Sequence, residues 1–270
     1  MTLDLKQNQP MKDHTTFKVG GPAEFFCLAK TVDDLISAAK LAQKNHWPFH
    51  ILGKGSNVLI SDRGLKGLTV INQTDKITIL PNEQVELSSG LFLPKAILYL
   101  INQGLTGLEV FSGIPATIGG ATKVKMHGVG ALWEDFIVKV NKYQEIILSV
   151  VIQLKKGDKK AALAKVKTIQ ALKVHQPQIS SGCIFKNLSL DQQKKLDLPT
   201  PSIGYIMDKV LNLKGITIGQ ARISLNHAGF IENLGGAKAS DIVKLIELMK
   251  QSAKDKLDLN LKLEIQTLGF

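Results

Sequence analysis

A chain of 270 residues is long enough for one large domain or two ordinary ones, and 44% apolar against 21% charged residues suits a globular protein with a buried core. The formal net charge is +11, yet the lysines are scattered and arginine occurs only at Arg63 and Arg222. The arginine clusters that read phosphates and bases are missing, so a nucleic-acid partner is not expected, although a basic surface would still attract a phosphorylated nucleotide. Cys27 and Cys183 are far apart and lack metal-ligand spacing. A disulfide framework and a metal site are therefore not expected, and the pattern fits a reducing cytoplasm. The opening MTLDLKQNQPMKDH lacks an apolar h-region and no apolar run is long enough to span a bilayer, so neither a leader nor a membrane partner is expected.

In chain order, Glu24–Leu28 reads as a strand. Thr31 followed by Asp34 is a helix-start signal, a hydroxyl cap with an acid three residues on, and Leu35, Ile36, Ala39 and Ala42 continue it at helical spacing to about His46, before Pro48. Strand character follows at Phe49–Leu52, Leu68–Ile71, Ile77–Leu80 and Val85–Leu87. Pro94 opens a helix through Asn102 that Gly104 can end. The stretch from Gly104 to Gly130 is rich in glycine. A strand is predicted over Glu145–Leu154, then a lysine- and alanine-rich helix to about Leu172, with a domain boundary at 157/158. Further helices are predicted around Ile203–Leu211 and from Ser240. The end, Leu259 to Gln266, alternates apolar and polar residues with period two, a half-buried strand with Glu264 on the polar face. Strands and helices mixed without strict alternation indicate an α+β fold.

Three segments carry candidate chemistry. Gly53-Lys54-Gly55-Ser56-Asn57 follows a buried strand, and glycines there let backbone N–H groups approach an anion. The spacing fits neither a Walker A loop nor a Rossmann fingerprint, and a simple chain reversal is the competing reading. Gly113-Ile114-Pro115-Ala116-Thr117-Ile118-Gly119-Gly120-Ala121 is a second such loop, open to the same two readings. Ser180–Asn187 packs a thiol, a cation and a carboxamide (Cys183, Lys186, Asn187) into one loop. Cys183 is either an inert small residue or a proton donor. Taken alone, Glu264 and His227 read as ordinary surface or structural residues.

In their order and spacing these segments resemble the UDP-N-acetylenolpyruvoylglucosamine reductase family over nearly the whole chain. The matching blocks are His14–Ala23, Leu52–Asp62, Gly107–Ala121, Ser181–Asn187, Leu213–Gly219, Ile223–Asn233 and Leu263–Gly269. The resemblance implies an FAD-binding region of the vanillyl-alcohol-oxidase (PCMH) type over 1–157 and a C-terminal α+β substrate domain over 158–270. The short chain between Asn187 and Gly215 is similar to the subgroup without a tyrosine-bearing loop. Also implied are FAD and NADPH as cofactors, UDP-N-acetylglucosamine enolpyruvate as substrate, a monomer in the cytoplasm, and hydride delivery to C3 with protonation at C2. Cys183 matches the proton donor and Glu264 the catalytic glutamate. Lys186, Asn187 and His227 would line the substrate pocket. The flavin pyrophosphate would rest on Gly53, Lys54, Gly55, Ser56 and Asn57 and on Ile114, Pro115, Thr117, Ile118, Gly119 and Gly120.

Two stretches depart from the family pattern. Thr122–Gly128 places Lys123 and Lys125 where an Asn-Ala-Gly-Ala type segment is expected. The piece from Ala131 to Glu145 is short and holds Tyr143-Gln144 instead of the family's Tyr-Arg pair, leaving Lys142 as the nearby cation. A catalytically impaired FAD- or nucleotide-binding relative, and a different flavin oxidoreductase on the same fold, are the alternatives to an active reductase.

Overall fold

The computed structural model describes residues 3–270. In chain order its strands are β1 (Lys6–Pro10), β2 (Pro22–Ala29), β3 (Phe49–Leu52), β4 (Val58–Ile60), β5 (Leu65–Asn72), β6 (Ile77–Ile79), β7 (Gln84–Ser88), β8 (Leu105–Thr106), β9 (Ile137–Tyr143), β10 (Ile146–Gln153), β11 (Lys155–Lys156), β12 (Thr217–Ile218), β13 (Ala221–Ile223), β14 (Ile231–Asn233) and β15 (Gln266–Leu268). The helices are α1 (Val32–Lys44), α2 (Leu93–Asn102), α3 (Ile118–Lys123), α4 (Lys159–Ala171), α5 (Leu190–Lys195), α6 (Ile203–Tyr205) and α7 (Ala239–Leu257). The expected α+β character is what is found.

Tertiary contacts divide the chain into two units. The first holds the N-terminal residues up to Gln7, Phe25–Lys54 and Gly67–Val174, and the second holds Asn8–Glu24, Gly55–Lys66 and His175–Phe270. This division differs from the one expected at 157/158. α4 buries Ala162, Val166 and Ile169 within the first unit, so the sequence up to Val174 stays with it. The two early segments of the second unit are joined to it by contacts between residues remote in sequence, which no local pattern announces.

In the first unit, the capping box at Thr31 forms as expected. Thr31 Oγ1 accepts from the Asp34 amide at 3.1 Å, and Asp34 Oδ2 accepts from the Thr31 amide at 2.9 Å. α1 then buries Leu35, Ala38 and Ala42 against Leu68 and Val70 of β5, which pairs in parallel with β3. A second core lies on the antiparallel sheet of order β6-β7-β10-β9. There Leu87, Val150 and Ile152 meet Leu93, Ile97 and Ile101 of α2, Ile118 of α3, and the edge-packed rings of Phe111 and Trp133. The glycine-rich stretch is therefore not all loop: it contains α3, and Trp133 Nε1 donates to Thr122 Oγ1 at 2.9 Å beside it.

In the second unit one core gathers Phe17, Leu59, Ile184, Phe185, Ile203, Met207, Ile223, Ile231, Ile242 and Ile246. α6 runs on into a π-helical turn at Ile206–Val210. Asp62, after β4, caps α7 from a distance: its carboxylate accepts from the Ala239 and Ser240 amides at 2.8 and 3.0 Å. β4 pairs in parallel with β15. The strand expected from the period-two run forms later, at Gln266–Leu268. Over 259–265 the alternation describes burial only, with Leu259 and Ile265 inside and Glu264 exposed, because the run meets its neighbours through single bridges instead of a continuous ladder.

Asn233 is the polar hub of this unit. Its Nδ2 donates to the Phe17 carbonyl at 2.9 Å, and its Oδ1 accepts from the Gly235 and Ala237 amides at 2.8 and 3.0 Å. Replacing it leaves the buried Phe17 carbonyl and Ala237 amide without partners. Asn233→Ala is expected to lower unfolding free energy by about 2 kcal/mol or more in urea titration, and a loss under about 0.5 kcal/mol would contradict that role.

Candidate functional site

Residues 183–186 run beside residues 262–264 in the second unit. The Glu264 amide donates to the Ile184 carbonyl at 2.8 Å, and the Lys186 amide donates to the Lys262 carbonyl at 2.9 Å. On the other side the Ile184 amide donates to the Gly229 carbonyl at 2.9 Å, and Cys183 bridges Phe230. Ile184 and Phe185 are buried in the core, which fixes the strip and leaves Cys183 half-buried and Glu264 exposed. Burial, and secondarily the negative charge of Glu264, pushes the Cys183 thiol from 9.0 up to about 11. At neutral pH the group is a thiol with its proton in place, suited to general acid work and unsuited to nucleophilic attack.

The other expected residues of this unit separate into two kinds. Asn57 joins the pair: its Nδ2 donates to the Glu264 carbonyl at 3.1 Å, and its own carbonyl accepts from the Gln266 amide at 2.9 Å. Gly55 and Ser56 lie in this unit as well, and the Gly55 carbonyl accepts from the Thr16 amide at 3.1 Å. Asn187 does structural work, its Oδ1 accepting from the Ile203 amide at 3.0 Å at the start of α6, which leaves its NH2 available. Lys186 is exposed. His227 accepts at Nδ1 from the Gly229 amide at 3.2 Å and stands edge-on to Phe230 at 4.7 Å between ring centroids. Burial lowers its pKa, so the imidazole is neutral at pH 7. It lines a shallow cavity of about 170 Å³ with Ser202, Tyr205, Asp208 and Asn226.

Gly53 and Lys54 belong to the first unit, so the first glycine loop is divided between the units. A Cβ on Gly53 would fall 2.3 Å from Thr117 Oγ1, so only glycine permits β3 to end against the second loop. Lys54 Nζ lies 5.4 Å from the centre of the Phe92 ring. In the second loop the amides of Ile118 and Gly119 donate to the Leu91 and Ser89 carbonyls at 3.0 and 2.7 Å, and Gly120 donates to Thr117 Oγ1 at 3.3 Å. These three amides are engaged. Among the described residues no protein acceptor takes the amides of Gly113 or Thr117, and the Ser112 hydroxyl is buried without a partner. Donors left open beside a loop with no acidic side chain suit a phosphate-bearing group. Ile114 is half-buried and Pro115 exposed.

The departing positions are also accounted for. Lys125 pairs with Glu134 at 2.9 Å on the surface, and Lys123 is exposed at the end of α3. Arg222 is held by Glu232 at 2.8 Å, and Arg63 is exposed after β4. Tyr143 and Lys142 lie on β9, opposite Ile146 and Ile147.

Residues 23–148 match the family model of an FAD binding domain, and residues 174–268 match that of the UDP-N-acetylenolpyruvoylglucosamine reductase C-terminal domain. The UDP-N-acetylenolpyruvoylglucosamine reductase of Caldanaerobacter subterraneus subsp. tengcongensis is 30% identical over 297 residues, covering 98% of this chain and 94% of that one. The chain belongs to the UDP-N-acetylenolpyruvoylglucosamine reductase family. The family member of Alkaliphilus oremlandii is 29% identical, covering 97% of this chain and 92% of its own. The crystal structure of the Thermus caldophilus reductase superimposes with a TM-score of 0.79 at 27% identity, over the full length of both chains. The alignment of 297 positions exceeds this chain's 270 residues, so the Caldanaerobacter relative carries residues without a counterpart here. Among the described residues no helix is long and apolar enough to cross a membrane.

In a Cys27→Ala background, which removes the other thiol, Glu264→Gln is expected to move the Cys183 titration midpoint from about 11 part of the way towards 9.0, because burial remains. An unchanged midpoint in a thiolate absorbance titration would contradict the proximity of the two side chains.

Proposed function

We propose that this chain is an NADPH-dependent, FAD-containing reductase that converts UDP-N-acetylglucosamine enolpyruvate into UDP-N-acetylmuramate for peptidoglycan synthesis, acting as a cytoplasmic monomer. The observation that carries the reading is the proton-bearing Cys183 thiol beside Glu264, in a chain of this family. Gly53 and Lys54 with Ile114–Gly120, all in the first unit, would hold the flavin dinucleotide. The tight Gly53–Thr117 packing and the open amides at Gly113 and Thr117 fit that group. Bound FAD supplies the hydride, taken from NADPH and delivered to C3 of the enolpyruvyl group.

The residues of this chain do the rest. Negative charge grows at C2 and its carboxylate as C3 gains hydride, and Cys183 gives its Sγ proton to C2. A thiol near 11 is a weak acid, yet a carbanion centre is so much more basic that the transfer still runs downhill. The thiolate left behind stands next to Glu264, which is open to solvent and provides the route for a proton to return. Lys186, through its exposed ammonium, draws the anionic substrate. Asn187 and His227 each keep one group for it, the carboxamide NH2 and the ring Nε2.

One observation favours a second reading. Arg222 is tied to Glu232, and no arginine occurs near Tyr143. A family member without the arginine of the Tyr-Arg pair could bind flavin and nucleotide without turnover. A lysine supplies charge but not the planar two-point grip on a carboxylate.

The two readings part in anaerobic stopped-flow. The wild-type FAD-loaded protein is expected to be bleached by NADPH and rapidly reoxidised by the enolpyruvyl substrate, whereas an impaired relative would stay bleached. Cys183→Ala should keep the NADPH half-reaction within about twofold and slow the substrate half-reaction by about 100-fold or more, the usual weight of a general acid. An equal fall in both halves would remove Cys183 from the proton-donor role.

A further inference from the structure

Only one nitrogen of the His227 ring, Nε2, is left for the substrate; Nδ1 is held by the protein. His227 opens a four-residue turn between β13 and β14 and binds both amides of that turn. Its carbonyl accepts from the Phe230 amide at 2.9 Å, and its ring Nδ1 accepts from the Gly229 amide at 3.2 Å. A nitrogen that accepts carries no proton, so the neutral ring has its proton on Nε2. The Phe230 N–H and the Gly229 C=O are the two ends of one peptide. With the N–H held by the His227 carbonyl, the C=O points the other way and accepts from the Ile184 amide at 2.9 Å. Cys183, one residue earlier, bridges Phe230. The turn that His227 closes therefore carries the acceptor from which the Cys183 strip hangs.

The ring also has a fitted seat. A Cβ on Gly204 would fall 2.6 Å from His227 Cε1, and a Cβ on Gly229 would fall 3.0 Å from the same atom. Neither glycine takes a left-handed φ, so what each provides is room for the ring and not an unusual backbone. Gly204 lies in α6, beside Ile203, whose amide donates to Asn187 Oδ1 at 3.0 Å. Residues 184–187 are thus tied at one end to Gly229 and at the other to Ile203. The imidazole stands between these two supports, with Phe230 edge-on to it.

We infer that His227 is a positioning residue: its Nδ1 and its seat against Gly204 and Gly229 set the strip around Ile184, and through that strip the place of the Cys183 sulfur. The inference rests on the reductase reading above and goes beyond it, because it gives the protein side of the ring a task separate from the substrate contact at Nε2.

Two substitutions divide the ring. His227→Asn places an oxygen where Nδ1 stood, an acceptor suited to the amide two residues on, and removes the group at Nε2. His227→Gln reaches the Nε2 position and leaves the Gly229 amide without its acceptor. His227→Leu removes both groups, and the Asn and Gln pair carries the comparison should the Leu protein not fold. The first readout needs neither flavin nor substrate: thiolate absorbance of Cys183 in the Cys27→Ala background. His227→Asn is expected to keep the midpoint near 11, whereas His227→Gln and His227→Leu should lower it towards 9.0, because a loosened strip admits water to the sulfur. The second readout is anaerobic stopped-flow on the FAD-loaded proteins. The limiting rate of the substrate half-reaction should fall about 10- to 100-fold in His227→Gln and His227→Leu, the scale on which misplacing a reacting group costs rate, and stay within about threefold in His227→Asn. In His227→Asn the loss should appear in KM instead, and NADPH reduction should stay within about twofold in all three.

Unchanged midpoints in His227→Gln and His227→Leu would overturn the inference. So would a fast His227→Gln beside a slow His227→Asn, since the ring would then act on the substrate alone. Equal losses in all three variants would also overturn it, because the ring would then serve only as packing volume. A midpoint kept by Asn and lowered by Gln, in a wild type that fails to reduce the enolpyruvyl substrate, would support the placement of Cys183 by His227 and sink the reductase reading.

Discussion

The hydrogen bond from the Glu264 amide to the Ile184 carbonyl joins two parts of the chain that sequence keeps far apart. It is one of a short set, with Lys186 to Lys262 on one side and Ile184 to Gly229 on the other, that makes a three-part strip around residue 184. Ile184 and Phe185 anchor that strip because their side chains are buried among Phe17, Ile203 and Ile231. A buried apolar anchor with backbone bonds on both flanks leaves little freedom for the residues that alternate with it. Cys183 and Glu264 are those residues, and their proximity follows from the core and not from any attraction between them. Burial first, and secondarily the repulsion that Glu264 would exert on a thiolate, keep the sulfur protonated.

The same logic of remote support governs the helix that follows. α7 begins where Asp62 receives two of its first amides, and Asn233 ties the approach to that helix back to Phe17. The second unit is therefore held by a few buried polar residues at crossing points of the chain, with an apolar core between them. In the first unit the corresponding constraint is steric: the two loops approach so closely at Gly53 and Thr117 that side-chain volume decides what fits.

Much of this was legible before any coordinates. The capping box at Thr31 and Asp34, the apolar spacing of α1, the strand β3 and the helix from Pro94 are local signals with local causes, and each formed where its residues indicated, although β3 is buried only at Leu52. The period-two run near the end marked the buried face correctly but misplaced the ladder, since alternation records which side is wet and not whether a neighbouring strand exists. β9 was overlooked because its lysines dilute the apolar pattern on an exposed sheet edge. The division at Val174 and the membership of residues 8–24 and 55–66 in the second unit depend on contacts between distant segments, which no window of sequence contains. At the candidate site, the loop pattern marked Cys183 as an inert residue or a proton donor, and the resemblance alone chose between these and picked out Glu264; the strip that pairs them is visible only in three dimensions. Engagement of the Ile118, Gly119 and Gly120 amides was equally hidden.

The central claim is that the Cys183 proton completes a reduction begun by hydride arrival at C3. The most direct measurement is NMR analysis of the product formed from NADPH and UDP-N-acetylglucosamine enolpyruvate by the FAD-loaded protein in deuterated water. The account predicts UDP-N-acetylmuramate with a single solvent deuterium at C2 in one configuration. No product, or deuterium at C2 in both configurations, would contradict it, because a positioned thiol can deliver its proton to one face only.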